Sequence, residues 1–462
     1  MEYRIIQSKS SYFTVIKPYL QNDSLVPVQY ESPVKENNTW INSKLFHQSL
    51  VEVDSGDFYL FLDPAFDFSL GQDNSGRRTF TNTRGFNAGG RIGSKFAFGT
   101  NFYENQAIFP DWVHNGIRNK VIPGQGMGRL KQQTWDYAHS SGYVSFSPVT
   151  KLNIQLGQGK NFIGDGYRSL LLSDAAYNYP YSRFSFISNR FMYSWMLGIV
   201  QDLSISKGVD QYTYGKRMIS SHVFSTNIGS ALQVSIIKNT VYDNPDTTGK
   251  FSPRFEEFNP VMLPVSSGRS HSVWGMNVKM MVSKHWWLYG QAAFDNLTGK
   301  DNMHTGFQLG SKYYDAFGLK GLYLQAEYNG IETETYTSGN KSLQWMHFGE
   351  PLAHPSGNNF SEGIFYAVYT WKRWQFSSFT RLSQVYKKNV ISPGNKFAFP
   401  TMSNGRTIHN NTQLNWFLNP KTTAHFSLGY IIHQDEVAGI KSTQNMIYFS
   451  FRTALFNNYL SY

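Results

Sequence analysis

The stretch Leu322-Tyr323-Leu324-Gln325-Ala326-Glu327-Tyr328-Asn329 separates cleanly by face when read as an extended chain, because successive side chains of a strand point to opposite sides. Leu322, Leu324, Ala326 and Tyr328 form an apolar face; Tyr323, Gln325, Glu327 and Asn329 form a polar one. The same alternation runs through Leu152, Ile154 and Leu156, through Leu232, Val234 and Ile236, and through Trp274, Met276, Val278, Met280 and Val282. It returns at Phe365, Ala367, Tyr369 and Trp371, at Phe426, Leu428, Tyr430 and Ile432, and in the last strand at Ile447, Phe449 and Phe451. Period two repeated this often predicts an all-β chain. Clusters of turn formers at 71–76, 124–128, 244–249, 299–302, 338–340 and 392–395 read as hairpin connections. No helical pattern separates the strands, which argues against a parallel βαβ sheet.

The polar faces decide which all-β architecture this is. A soluble sandwich meets water with Lys and Glu, whereas these faces carry Gly, Ser, Asn, Gln, Thr and Tyr. Of 462 residues only 16% are charged, while 16% are aromatic; roughly 25% charge is usual in soluble domains. No apolar run approaches the roughly 18 to 20 residues of a spanning helix. There is no cysteine, so disulfides, zinc ribbons and thiol nucleophiles are excluded. A transmembrane antiparallel β-barrel reconciles these counts, with an apolar skin facing lipid, a polar interior and every backbone group paired by closure. Aromatic pairs such as Trp286-Trp287, Trp371 with Trp374 and Tyr313-Tyr314 suit its interfacial girdles.

At about 45 residues per hairpin, the roughly 410 residues beyond position 50 make about 18 strands. The expected division is a 1–50 N-terminal segment, periplasmic and with a short helix within 38–50, followed by an outer-membrane barrel over 51–462. Glu2, Arg4, Lys9 and Lys17 interrupt the place of an export signal, so a processed N-terminus is expected.

The net charge of +11 is uneven: residues 1–150 hold 14 basic and 13 acidic side chains, against 15 and 9 over 151–300 and 13 and 9 over 301–462. Residues 363–434 contain Lys372, Arg373, Arg381, Lys387, Lys388, Lys396, Arg406 and Lys421 with no Asp or Glu. Such a field favours polyanions, and Lys372, Arg373, Arg381, Lys387 and Lys388 are candidate contacts for an acidic polysaccharide. The competing reading is that these side chains meet lipopolysaccharide phosphates or snorkel at the membrane edge. No helical recognition motif accompanies the charge, so nucleic acid is a poor partner.

The most distinctive segment is 157–174, Gly-Gln-Gly-Lys-Asn-Phe-Ile-Gly-Asp-Gly-Tyr-Arg-Ser-Leu-Leu-Leu-Ser-Asp. Gly164 and Gly166 permit positive φ. Asp165, Arg168 and Asp174 are candidates for an internal polar network that holds an inward-folded loop; Tyr167 and Arg168 are the alternative candidates for direct glycan contact. The run KNFIGDGYRSLLLSD, with YAHSSGYVSF before it and HPSGNNFSE at 354–362, resembles the Wzi-type capsule-assembly outer-membrane proteins, and most closely their RemB-like relatives associated with gliding motility in Bacteroidetes-type bacteria. The resemblance extends from Thr81 to the C-terminal strand and implies an eighteen-stranded barrel that helps hold surface polysaccharide. It carries over no catalytic residue, and the N-terminal region does not show the family's periplasmic helices.

Other constellations are weaker. His347, Glu350 and His354 lack the helical spacing of a metal site and are interrupted by Pro351 and Pro355. The glycines at 124–126 and 157–159 lack a strand-to-helix setting for a dinucleotide. Glu256 with Glu257, and Glu332 with Glu334, read as solvated loop carboxylates rather than a hydrolase pair, and there is no Gly-x-Ser-x-Gly elbow. The sequence therefore predicts a non-enzymatic surface barrel without cofactor or metal, with membrane lipid, lipopolysaccharide, acidic polysaccharide and other envelope proteins as partners. The alternative is a diffusion channel or an accessory barrel of a secretion or gliding apparatus.

Overall fold

The structure is a computed structural model that describes residues 12–18, 39–206, 214–243, 253–262, 269–297, 302–386 and 404–453. Eighteen strands pair antiparallel, each with its sequence neighbour. They are β1 (Phe58–Asp73), β2 (Arg78–Ile92), β3 (Phe96–Ile108), β4 (Thr134–Val149), β5 (Leu152–Gly159), β6 (Tyr179–Ile187), β7 (Phe191–Ser206), β8 (Tyr214–Ile228) and β9 (Leu232–Tyr242). The second half comprises β10 (Ser270–Met281), β11 (Trp286–Asp295), β12 (His304–Tyr314), β13 (Leu322–Ile331), β14 (Phe360–Trp371), β15 (Trp374–Val385), β16 (Gly405–Asn419), β17 (Ala424–Val437) and β18 (Ile440–Arg452). β18 returns to β1 in the register Met446 opposite Asp73 to Arg452 opposite Asp67, so the sheet closes and has no free edge. This is an outer-membrane barrel, a protein of the bacterial outer membrane.

The alternation explains why the wall is stable with lipid on one side. Leu156, Leu309, Tyr328, Phe365, Leu428, Ile447 and Phe449 point outward and stay exposed, forming the apolar belt. Trp286, Trp371, Trp374 and Trp416 lie at one rim, with Trp371 opposite Trp374 and Trp374 opposite Trp416. Trp287, expected beside Trp286 in that girdle, is instead buried inside, because adjacent strand residues face opposite sides.

At the Trp rim the connections are short, as at 93–95, 150–151, 188–190 and 372–373; the long ones, 109–133, 160–178 and 332–359, all leave the other end. By the construction rule of such barrels, short turns face the periplasm and long loops the outside. A helix, α1 (Trp40–Phe46), lies at the periplasmic end, where Asn419 Nδ2 donates to Gln48 O (2.8 Å) and Lys44 O (3.2 Å). Residues 12–18 lie within the lumen: Ile16 pairs with Ile163, and Lys279 Nζ on the inner wall donates to Thr14 Oγ1 (2.6 Å). The division at residue 50 is thus a division by strand and not by location. Part of the segment expected in the periplasm is held inside the barrel by the polar inner face of β9 and β10.

Candidate functional site

The segment 160–178 folds into the lumen, and it does so with almost no regular structure. Its backbone groups must therefore find partners on the wall. Gln291 on β11 donates to Ile163 O (2.9 Å) and accepts from Leu170 N (2.9 Å). Gln308 on β12 donates to Arg168 O (2.9 Å), and Asn239 on β9 donates to Leu171 O (3.0 Å). Glu327 on β13 accepts from the backbone of Tyr167 (2.6 Å) and Arg168 (3.0 Å). The polar lumen face is thus a rack of three amides and one carboxylate that does for the inserted segment what a neighbouring strand would do.

Two glycines permit the close approach. Gly164 takes a φ of +147°, and a Cβ there would strike the Gln291 side chain. Gly166 is different from the expectation: it does not need a positive φ, but a Cβ on it would lie 2.6 Å from both Gln308 Oε1 and Glu327 Oε2.

Leu170, Leu171 and Leu172 are fully buried against Val200, Ile219, Val223, Ile237, Val241, Val273 and Ala293. One side of the lumen is therefore an apolar core, which corrects the expectation of a uniformly polar interior. The second inserted segment, 332–359, covers this core: Trp345 Nε1 donates to Leu171 O (2.9 Å), Tyr336 OH to Leu170 O (2.6 Å), and Ser173 N to Leu352 O (2.8 Å).

Both inserted segments meet the wall at Glu362 on β14. Its carboxylate takes His354 Nε2 at 2.9 Å, Arg381 Nε at 2.5 Å and Arg168 Nε at 3.4 Å, with all four side chains buried. His354 comes from the second segment, Arg168 from the first and Arg381 from β15, so one carboxylate ties two loops to two strands. Burial pulls the His354 imidazole down to about 4 even though Glu362 opposes that shift.

The sequence candidates fall into three places. Arg168 and Arg381 belong to this joint. Tyr167 is half-buried, with its ring tilted 5.0 Å from that of Phe379 on the inner wall, so it packs within the plug. Asp165 accepts from Asn277 Nδ2 (2.7 Å) and from Thr14, with the nearby Lys279 holding its carboxyl below the usual range despite burial. Asp174 faces Lys160. Asp165, Arg168 and Asp174 are not joined in one cluster: each meets a different partner, mainly from the wall and from distant segments.

Lys372 and Arg373 form the β14–β15 turn at the periplasmic rim, where Arg373 donates to Leu418 O (2.8 Å) and covers the Phe46 ring. They sit among the exposed turn cations Lys95, Lys151, Arg190, Lys284 and Lys320, out of reach of an external glycan. Lys387 and Lys388 lie outside the described residues. His347 accepts from Gln201 N (3.0 Å), and Glu350 accepts from Gly124 N (2.6 Å) and Tyr177 N (3.1 Å), so each does structural work.

Exposed charge at the outer end sits elsewhere. In loop 109–133, Gly128 N donates to Lys120 O (2.8 Å), which brings Lys120 beside Arg129; Arg118 bridges to Val121 just before the same turn. Arg118, Lys120 and Arg129 are exposed; among the described residues Arg118 and Lys120 make no ion pair, while Arg129 lies opposite Asp136, which Lys131 also contacts, and Arg77 is neutralised by Asp111. Sequence reasoning missed them because residues 1–150 balance to nearly zero; the fold separates charges that the chain intermixes.

No family model and no curated protein matches the chain in sequence. Among solved structures it is similar to Wzi, an Escherichia coli outer-membrane protein involved in group 1 capsule assembly and described as a carbohydrate-binding β-barrel. The TM-score is 0.55 at 10% identity over 85% of each chain. The fold is Wzi-like. Pseudomonas aeruginosa OprD aligns with a TM-score of 0.47 at 9% identity over 92% of this chain and 100% of that one. OpdO of the same organism gives 0.48 at 11% over 87% and 98%.

Proposed function

We propose that this barrel is a non-enzymatic surface protein that binds extracellular acidic polysaccharide through loop 109–133. The observation that carries the reading is the trio Arg118, Lys120 and Arg129, exposed at the outer mouth of a barrel whose lumen is filled by its own loops, with Asp136, shared between Arg129 and Lys131, as the one carboxylate facing the trio among the described residues. A polyanion gains from each exposed cation and crosses no membrane to reach it. Wzi, which shares the fold, is described as carbohydrate-binding, and by that analogy the polysaccharide is capsular. The association with gliding rests only on the sequence resemblance of the 160–174 motif with YAHSSGYVSF before it and HPSGNNFSE at 354–362.

The test is retention of the purified protein on immobilised polygalacturonate, with neutral dextran as control. Exposed charge pairs contribute about 0.2–1 kcal/mol each, so the triple variant Arg118→Glu, Lys120→Glu, Arg129→Glu should bind roughly tenfold or more weakly, and salt should weaken the wild type alike. Equal retention of the two proteins would remove this loop from the mechanism.

A further inference from the structure

On β14 to β18 the wall continues past the joint of Glu362 and Arg381 toward the periplasmic rim, and there its inner face is not sealed. Tyr366, Phe379, Asn411, Gln413 and Tyr448 face inward on that stretch and are only half-buried. Their backbone groups are spent in the sheet, so the accessible surface belongs to the side chains. These residues stand in two adjacent rows. Tyr366 lies opposite Phe379, and Phe379 opposite Asn411. In the row nearer the rim, Tyr323 lies opposite Val368, Ser377 opposite Gln413, and Gly429 opposite both Gln413 and Tyr448.

One side of this surface is aromatic. Tyr323 meets Tyr366 edge-on with ring centroids 6.2 Å apart, and Tyr366 meets Phe379 at 6.2 Å. Tyr314 carries the row on to the rim, 4.9 Å from Tyr323, and Tyr167 of the plug ends it 5.0 Å from Phe379. The other side is built of amides. A Cβ on Gly429 would strike the Tyr448 ring; without one, the ring lies across the glycine and its hydroxyl donates to Gln413 Oε1 (2.9 Å) and Asn411 Oδ1 (3.1 Å). Both amides are thus held by their oxygens. Each amide nitrogen keeps two donors, makes no hydrogen bond among the described residues and stays open to solvent.

The charged side chains bordering the two rows are already engaged. Glu327 is held by the plug backbone, Glu362 by Arg168 and Arg381, and Arg452 by Asp67 (3.1 Å), while Lys312 is buried over the Tyr289 ring (5.5 Å). Aromatic surface beside a few oriented donors is the usual makeup of a small-molecule site. An apolar ligand would leave the donors unpaired, and an anion would find no free cation. A neutral sugar satisfies both sides, with the C–H face of its ring on an aromatic ring and its hydroxyls on the amides.

We infer that the periplasmic half of the lumen binds a neutral oligosaccharide, packed on Tyr323, Tyr366 and Phe379 and hydrogen-bonded by Asn411 Nδ2 and Gln413 Nε2. The site lies on the other side of the plug from loop 109–133 and takes a ligand of different charge, so it does not depend on the reading given to that loop.

The test is isothermal titration of the barrel, purified in an amine-oxide detergent that carries no sugar, with maltohexaose, cellohexaose and oligogalacturonate. Saturable binding of at least one neutral oligomer is expected. Tyr366→Leu should weaken it about 3- to 10-fold, the size of one aromatic contact. Asn411→Leu with Gln413→Leu, which leaves every ring in place, should do so by a similar factor of about 3- to 10-fold. The loop 109–133 triple variant should bind the neutral oligomer as the wild type does. Absence of saturable binding by both neutral oligomers overturns the inference, and so does affinity unchanged in the amide double variant. Loss of binding in the loop triple variant, or oligogalacturonate binding to that variant as tightly as the neutral oligomer, overturns it too.

Discussion

Replacing Glu362 with Gln tests whether the plug is held by one buried joint. The substitution keeps the shape and removes the charge, leaving Arg168 and Arg381 as two buried guanidinium groups without a shared counter-ion. Breaking a buried ion pair by removing one partner costs about 3–5 kcal/mol. With two cations left behind and the His354 hydrogen bond (2.9 Å) weakened, the upper part of that range, about 4–5 kcal/mol, is expected. The loss should fall mainly on the inserted segments, since the barrel's own backbone pairing is untouched. Two assays separate these levels: urea unfolding of the barrel in micelles, and single-channel recording in planar bilayers. Glu362→Gln should show open events absent from the wild type, and protease should cut within 160–178 or 332–359. Repacking the joint as Glu362→Leu with Arg168→Met and Arg381→Met should restore most of the loss, because a neutral core needs no counter-ion. A Glu362→Gln protein within about 0.5 kcal/mol of wild type, the range of an ordinary surface substitution, and equally silent in bilayers would refute the joint.

Gly275 on β10 stands where a Cβ would strike the Leu171 side chain. Gly275→Ala should therefore destabilise by about 1–3 kcal/mol through overpacking, and Leu171→Ala in the same chain should recover part of it; additive losses in urea unfolding would contradict this packing. The imidazole of His354, ordinarily near 6.5 and lowered by burial to about 4, gives the plug a pH dependence. A depressed value means stability is complete above pH 6.5 and is withdrawn as pH falls toward 4; at about 1.4 kcal/mol per pH step, the loss is on the order of 3 kcal/mol. Bilayer recordings should thus show openings at pH 4 to 5 that are absent at pH 7, and a flat response would rule out this residue as their source. Arg381→Glu should impair folding of the plug without specifically lowering polygalacturonate retention by protein that does fold, a distinction readable by comparing retention with electrophoretic heat-modifiability.

The outward half of the structure was legible because lipid imposes a single rule on it. Leu156, Leu309 and Phe449 had to be apolar wherever they faced the bilayer, and period-two alternation records that demand residue by residue. The inner half obeys no such rule. Val241, Val273 and Ile237 face inward yet are as apolar as the belt, because they meet Leu170–Leu172 and not water; on β9 both faces then look alike, and the sequence cannot say which Val is inside. Ion pairs suffered most. Arg168 is close in sequence to Asp165 and Asp174, but its carboxylate is Glu362, which lies 194 positions on in the sequence. Contacts across a closed barrel have no signature in local spacing. The described part of the acid-free run over 363–434 is dispersed for a related reason: a strand that crosses the membrane delivers its charges in turn to one rim, the lumen and the other rim, so Lys372, Arg381 and Arg406 do not share a surface.

That same geometry explains how one wall serves two purposes. Gln291, Gln308, Asn239 and Asn277 on adjacent strands present amides at similar spacing on one inner face. An amide can donate and accept at once, so it pairs an irregular backbone without dictating its path. A lysine or glutamate at these positions would have needed its own counter-ion inside the barrel. Charges stand instead where a segment must be fixed: Glu362 where two loops meet, Glu327 beneath the backbone of Tyr167 and Arg168, and Asp165 with Lys279 where residue 14 enters. Arg183 follows the same logic without a carboxylate, since its Nη2 donates both to Pro18 O (3.5 Å) of the inserted N-terminal segment and to Gln155 on β5.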